Sequence, residues 1–281
     1  MKAKIIVHCL VENEGRFIWY AINSVLPYVD QMMVWDMGST DDTWEIVNSI
    51  ESDKIGRRQV PVATSPDDLT TVRQQMIEET GKDFTWLMIL DGDEIWPESS
   101  IETVTNFARE NPSYESIVVR TNNLVGDIYH RLPESAGRYN LSGHTGHLAL
   151  RFMNLKQIGG LCVSRPHGTQ GFFDSEDRLV QDRDAKKIKF LDLPYHHATH
   201  LHRSLARKED LLVPKRKQKL KYELGEKIPK EEIPTIFFIR DRPDIVPDVI
   251  QAAPLSFWLK SFVLTPLRRL KRIIIKSPSG Y

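Results

Sequence analysis

From residue 4 onward, apolar and polar positions follow the rhythm of strands and helices taken in turn. Residues 4–11 form an apolar run suited to a buried strand, and residues 14–26 carry Phe17, Ile18, Ala21, Ile22 and Val25 at helical spacing. Pro27 stops that helix, having no backbone N–H to continue it. A second strand is predicted over 31–36, then a helix capped by Ser39 or Thr40 and running to Ile50, with Asp41 and Asp42 favourably placed in its first turn. A short third strand is predicted over 58–63, a helix over 69–80 ended by Gly81, and a strongly apolar fourth strand over 84–90. A further helix (99–109) and strand (116–124) follow. Such alternation implies an α/β fold with a Rossmann-like, mainly parallel sheet covered by helices on both faces. Ligands of these sheets bind beyond the carboxyl ends of the strands, which is where the polar clusters of this chain fall.

Beyond Val125 the rhythm gives way to an irregular stretch rich in Gly, His and Arg, with strand-like pieces at 148–153 and 188–193. A long stretch of this kind inside a compact protein is functional or disordered, and the strand-like pieces favour function. Residues 204–223 have the pattern of a basic helical segment broken at Pro214. A linker punctuated by Pro229, Pro234, Pro243, Pro247 and Pro254 leads to a last element over 255–276. The chain therefore divides into a first half (1–125), a second half of the same domain (126–203) and a helical, basic C-terminal extension (204–281).

With 281 residues, 41% hydrophobic and 27% charged, there is room for one large α/β domain with an extension, or for two small domains. Lys+Arg and Asp+Glu each total 38, so no global basic field draws the chain to nucleic acid. The two cysteines, Cys9 and Cys162, lie far apart and outside any CxxC spacing. That argues against a disulfide framework or a cysteine zinc site and fits a reducing, cytoplasmic compartment. The opening Met1-Lys2-Ala3-Lys4 before Ile5-Ile6-Val7 is signal-like only briefly, since His8, Glu12 and Glu14 interrupt it. No apolar run reaches the about 18 residues of a spanning helix. In the tail, Phe257, Trp258, Leu259, Phe262, Leu267, Leu270 and Ile273 to Ile275 interleave with Lys260, Arg268, Arg269, Lys271, Arg272 and Lys276. A helix of that kind suits either a peripheral seat on a membrane surface or docking on its own domain or a partner copy.

Two clusters carry chemistry. Asp91-Gly92-Asp93-Glu94 directly follows the apolar run Trp86-Leu87-Met88-Ile89-Leu90, so its carboxylates sit rigidly at the edge of a cleft. Two carboxylates one residue apart can take a hard divalent cation and leave sites open for phosphate oxygens and water, although a solvated acidic turn has the same sequence. The second cluster, Asp36-Met37-Gly38-Ser39-Thr40-Asp41-Asp42-Thr43, combines a tight glycine turn, two hydroxyls and a strand-end carboxylate able to accept hydrogen bonds from a nucleobase or ribose. A plain strand–turn–helix junction is the competing explanation.

Taken in order, Cys9-Leu10-Val11-Glu12-Asn13-Glu14, the Asp-x-Gly-Ser-Thr-Asp-x-Thr run at 36–43, Arg73, and Leu90-Asp91-Gly92-Asp93-Glu94 resemble the nucleotide-binding half of glycosyltransferase family 2, over about residues 4–125. Glu94 after the Asp-x-Asp is similar to the subgroup whose metal motif reads Asp-x-Asp-Glu. The resemblance implies a GT-A fold and an inverting glycosyltransferase that moves a sugar, as a UDP-sugar in the first instance, to a hydroxyl of a glycan or lipid-linked saccharide. It further implies that Leu10, Val11, Glu12, Glu14, Asp36, Arg73, Asp91, Gly92 and Arg203 form the donor site, and that Asp91 and Asp93 hold Mn²⁺ or Mg²⁺. Position 37, often acidic in the family, is Met37 here.

For the carboxylate that deprotonates the acceptor, Glu176-Asp177 followed by His196-His197 matches the family's layout, with Asp177 first and Glu176 second. The alternative Val-His-Glu layout has its nearest match in Arg165-Pro166-His167-Gly168, which lacks the Glu. Of the clustered His196, His197, His200 and His202, His197 or His200 is the expected third metal ligand, and an independent zinc site is disfavoured by the absence of nearby cysteine. His144, His147, Arg151 and His167 are candidates for shaping the acceptor pocket. Two other readings stay open: a sugar-phosphate nucleotidyltransferase, against which residues 11–15 lack a Gly-rich phosphate loop, and a non-catalytic carbohydrate- or lipid-binding protein on the same scaffold.

Overall fold

In the computed structural model, the first strand, β1 (Ile5–Val11), is buried along its whole length, and its residues alternate between two apolar layers. Ile5, Val7, Cys9 and Val11 face one layer, while Ile6 and Leu10 face the other, as the two-residue period of a strand requires. The structure describes residues 2–62, 64–166, 169–211, 213 and 216–274; the sequence expectations that fall on Ala63, His167, Gly168, Pro214, Ile275 and Lys276 lie outside them. The elements that follow are α1 (Ile18–Val25), β2 (Gln31–Asp36), α2 (Thr43–Asn48), β3 (Ile55–Gln59), α3 (Pro66–Glu78), β4 (Trp86–Ile89), β5 (Glu94–Ile95), α4 (Glu98–Glu110) and β6 (Ser116–Val125). The second half adds β7 (Asp127–Arg131), β8 (Tyr139–Leu141), β9 (His144–Gly146), β10 (Leu148–Asn154), β11 (Cys162–Ser164), β12 (Gly171–Phe173) and β13 (Ile188–His197). The extension holds α5 (Arg207–Asp210), α6 (Arg216–Lys219), β14 (Glu226–Lys227) and α7 (Leu255–Ile274).

Among the described residues the main sheet has 10 strands, its path running β14-β7-β6-β10-β4-β1-β2-β3. The expected parallel core is β4-β1-β2-β3. β10 enters between β4 and β6 in the opposite direction, and β13 lies parallel to β6 before pairing antiparallel with β5. Helices α1, α2 and α4 cover one face through Ile18, Ile22, Ile46, Val47, Ile101 and Val104. The other face packs on α3 through Val72 and Met76. The fold is thus the expected α/β type, with a C-terminal helical extension.

Four expectations shift. The third strand is Ile55–Gln59 rather than 58–63, because pairing with β2 (Met32↔Ile55 to Asp36↔Gln59) sets the register at this exposed edge and Pro61 offers no N–H to extend it. Helix α3 begins three residues earlier than its apolar pattern, where Asp68 Oδ2 accepts the Ser65 N–H at 2.8 Å in a capping box. The N-cap of α2 is Asp42, since Ser39 Oγ is committed to Asp36 and to the Asn13 N–H. Among the described residues of 204–223 the helical pieces are the single turns α5 and α6, the chain being held instead by the buried contacts of Arg216 with Asp210 and Glu14.

Candidate active site

The carboxyl ends of β1, β2 and β4 lie side by side, and the turn Asp91-Gly92-Asp93-Glu94 leaves β4 between them and β13. Gly92 is required there: a Cβ would lie 2.8 Å from Glu14 Cγ and 3.0 Å from Val11 Cγ1, so only glycine lets the β4 turn press against the end of β1. The turn closes on itself, with the Glu94 N–H donating to Asp91 O at 3.1 Å and the Asp91 N–H to Glu94 Oε2 at 3.3 Å. Glu94 then pairs with His197, and the Ala198 N–H donates to Asp93 O at 2.8 Å. That ladder brings the end of β13, and with it His197, onto a motif a hundred residues earlier in the chain.

Asp91, Glu94 and His197 each offer one ligand atom, all within 4.8 Å of one another. Two oxygens and an imidazole suit a divalent cation such as Mn²⁺ or Mg²⁺. Asp93 borders the group: His197 Nε2 lies 3.4 Å from its Oδ2, and Arg203 Nη1 lies 2.8 Å from the same atom. Both Asp93 oxygens are sealed from water without an aligned hydrogen-bond donor, and their charge is met by Arg203 and His197.

Arginines surround the acids. Arg151, on β10, reaches Glu94 Oε1 and comes within 3.3 Å of Asp91 Oδ2; its Nε donates to the Tyr195 hydroxyl at 3.1 Å, and Tyr195 stacks on Trp96 at 4.9 Å. Arg73, on α3, lies 3.4 Å from Asp91 Oδ1. Burial pushes the Glu94 carboxyl up to about 7 despite Arg151, and the Glu14 carboxyl up to about 8 despite Arg203 and Arg216. Burial acts against ionisation of Asp93 as well, but Arg203 and His197 outweigh it and hold that carboxyl well below its usual range.

The side of the cleft that Asp36 borders is a web of short-range bonds. Asp36 is fully buried, accepts the Ser39 N–H at 3.2 Å and bonds to the Ser39 hydroxyl. Asn13, in the left-handed region (φ 53°), joins this loop to the end of β1: its Oδ1 accepts the Thr40 N–H at 2.7 Å and the Asp41 N–H at 3.2 Å. The Met37 N–H donates to Val11 O at 2.8 Å, Leu10 is a core side chain, and Glu12 is half-buried, its carboxyl raised by burial. From below, buried Arg216 donates to Glu12 O (2.7 Å), to Asn13 O and to Glu14 Oε1 (2.7 Å). Tyr195 and Arg216 are members that the sequence motifs do not name; Asn13 lies within the first motif without an assigned role, and Arg151, expected at the acceptor pocket, stands with the acids.

Some expected residues stand apart. Glu176 and Asp177 lie on the turn after β12 with side chains 70% and 75% exposed, paired with Arg178 and Arg165 (3.5 Å) rather than with the acidic group. His200 turns Nδ1 to the Lys219 carbonyl at 2.7 Å, so the histidine place is taken by His197, and in the convergent group Glu94 stands where Asp93 was expected, Asp93 being turned to Arg203 at 2.8 Å. His196 points into the core, bonding Glu232 O at 2.9 Å. His147 bonds Asn123 Nδ2 at 2.8 Å, and His144 stacks on Phe190 at 4.0 Å.

Among known proteins, no curated sequence matches the chain. Solved structures similar to it include glucosyl-3-phosphoglycerate synthase from Mycobacterium tuberculosis with Mn²⁺, UDP and glucosyl-3-phosphoglycerate (20% identity, 77% of each chain covered, TM-score 0.45). The same enzyme with Mn²⁺, UDP-glucose and phosphoglyceric acid matches at 20% identity over 69% of this chain and 72% of that one, with a TM-score of 0.44. With Mg²⁺ and UDP it matches at 19% identity over 77% and 76%, with a TM-score of 0.43. The model of glycosyl transferase family 2 matches residues 5–173, more than half of the 281 residues, and the chain belongs to that family.

Proposed function

We propose that this family member is a metal-dependent, inverting glycosyltransferase that moves a sugar from a nucleoside-diphosphate donor, a UDP-sugar first among them, to a hydroxyl of a glycan or lipid-linked saccharide. The observation that carries the reading is the convergence of Asp91, Glu94 and His197 within 4.8 Å, beside an Asp93 whose oxygens lack aligned donors. These residues would hold Mn²⁺ or Mg²⁺, which when bound neutralises charge on the departing nucleoside diphosphate. Asp36 and the backbone of Leu10 to Glu12 bind the nucleoside. Arg73 and Arg203, each already beside an aspartate of the motif, pair with the diphosphate. A carboxylate accepts the acceptor hydroxyl's proton as that oxygen attacks the anomeric carbon and the bond to the diphosphate breaks; the family's layout assigns this to Asp177, or Glu176 in its place, on a turn that stands apart from the acidic group. One displacement from the face opposite the leaving group inverts the configuration.

Thermal unfolding with UDP-, GDP- and dTDP-sugars, in Mn²⁺ and in EDTA, tests the donor site. A donor at about a hundred times its Kd stabilises by about 2.7 kcal/mol, a rise of roughly 5 °C or more for a chain of this size. The rise is expected in Mn²⁺ and absent in EDTA; no metal-dependent rise with any donor would overturn the assignment. Single-turnover release of nucleoside diphosphate then distinguishes an enzyme from a binding protein.

A further inference from the structure

Helix α7 is docked by its polar side. Ser261 and Thr265 are buried, and Thr265 Oγ1 accepts the Leu224 N–H at 2.8 Å. Arg272 pairs through both terminal nitrogens with Glu223 at 2.6 Å. Phe257 packs on Gly126, where a Cβ would come within 2.6 Å of the ring, and Trp258 Nε1 donates to Ala253 O at 3.1 Å. The apolar side faces out: Leu255, Leu259, Phe262, Val263, Leu267, Leu270, Ile273 and Ile274 are 54–75% exposed. At about 100° per residue these eight fall within one arc roughly 140° wide. Exposed Lys260 and Lys271 flank one edge of that arc and exposed Arg269 the other, and α7 contains no Asp or Glu.

We propose that this face is a docking surface for an anionic lipid bilayer, with α7 lying in the plane of the interface. A contiguous apolar face of this extent marks an interaction site. No described helix is long and apolar enough to cross a membrane, so α7 rests on the surface rather than spanning it. Charge selects the occupant. A second copy of the helix would bring basic groups against Lys260, Arg269 and Lys271, whereas lipid phosphates complement them. The docked side also fixes where the bilayer sits. The segment leading into α7 is tied to the β6–β7 turn, where the Ala253 N–H donates to Asp127 Oδ2 at 3.0 Å, and Asn123 near the end of β6 pairs with His197. Where the transfer reading holds, the surface delivers the enzyme to an acceptor carried by lipid; the docking itself does not depend on that reading.

Flotation of the full chain, without donor or metal, on phosphatidylcholine vesicles with and without phosphatidylglycerol reads docking alone, whereas nucleoside diphosphate release reads transfer. Binding is expected on the anionic vesicles and to fall at least about tenfold on the neutral ones. Each basic group near the surface contributes roughly fivefold, so Lys260→Gln/Arg269→Gln/Lys271→Gln loses about a hundredfold. Phe262→Glu/Leu267→Glu, at exposed positions that leave the docked side intact, loses binding with an unchanged circular dichroism melt. Wild-type protein that stays at the bottom with anionic vesicles would overturn the proposal, as would a Phe262→Glu/Leu267→Glu variant that floats unchanged. So would a dimer in sedimentation that this variant disperses while neither protein floats, since the face would then belong to a second copy.

Discussion

Replacing Arg216 by Met removes the side chain that joins the C-terminal extension to the end of β1, the floor of the proposed donor site. Arg216 is almost fully buried and serves the carbonyls of Glu12 and Asn13, the carboxylate of Glu14 at 2.7 Å and, at 3.4 Å, that of Asp210. Met fills much of the volume but donates nothing. Without Arg216 the carbonyls of Glu12 and Asn13 each lose a buried donor, at about 1–3 kcal/mol apiece, and Glu14, whose carboxyl burial already lifts to about 8, loses a hydrogen-bond partner and keeps its proton. Here Glu14 retains only Arg203, which Asp93 also engages. The expected loss for Arg216→Met is therefore about 2–6 kcal/mol, read as the shift in urea midpoint multiplied by a shared slope. Glu14→Gln and Arg216→Met each break the same Glu14–Arg216 contact, so the double variant is less destabilised than the sum of the singles by about 1–3 kcal/mol. A single variant within about 1 kcal/mol of wild type, or strictly additive singles, would refute the view that this network holds the extension to the site.

Asp177→Asn is expected to lower kcat by about a hundredfold or more while leaving donor KM within about twofold, measured as nucleoside diphosphate release; unchanged kcat moves the base to another carboxylate. His8, whose imidazole is driven down to about 3 by burial and then by Arg73, gives stability a pH dependence of known sign. Unfolded chains take up that proton near 6.5 and the folded chain does not, so stability is lost as pH falls below 6.5, by about 2 kcal/mol between pH 7 and pH 5. In urea titrations at the two pH values, His8→Gln lacks that component; equal losses in both proteins would contradict a neutral His8. Gly92→Ala forces a methyl into Glu14 and Val11, so it is expected to destabilise by about 1–3 kcal/mol and to raise donor KM, as thermal melts and initial rates would show.

The parallel core and the motifs at its strand ends were legible because each is local. An apolar run of strand length followed directly by carboxylates leaves little choice about where Asp36 and Asp91 to Glu94 end up. What escaped is what sequence distance hides. Arg151 joins the acids only because β10 runs backwards between β4 and β6, and the apolar pattern of 148–153 does not encode direction. Arg216 and Asn13 meet across two hundred residues through backbone carbonyls, which leave no trace in side-chain periodicity. The His cluster was visible, but choosing His197 over His200 needs the pairing of His197 with Glu94. The basic stretch at 204–223 has helical composition, yet buried pairing of Asp210 and Arg216 wins over helix propensity. For the tail, the mixed apolar and basic pattern could not tell which side docks. Ser261 and Thr265 decide that by going inward, taking Phe257 and Trp258 towards the body and leaving Phe262 and Leu267 outside.

The central claim is a cation held by Asp91, Glu94 and His197 for the grip on a nucleoside diphosphate. Titration of Mn²⁺ followed by the loss of its free six-line electron paramagnetic resonance signal, in the presence of UDP, tests it directly. The account predicts one tight site per chain, weakened at least about tenfold in His197→Asn and in Asp91→Asn while both variants stay folded. Mn²⁺ binding that is undetectable in wild type, or unchanged in both variants, would contradict it.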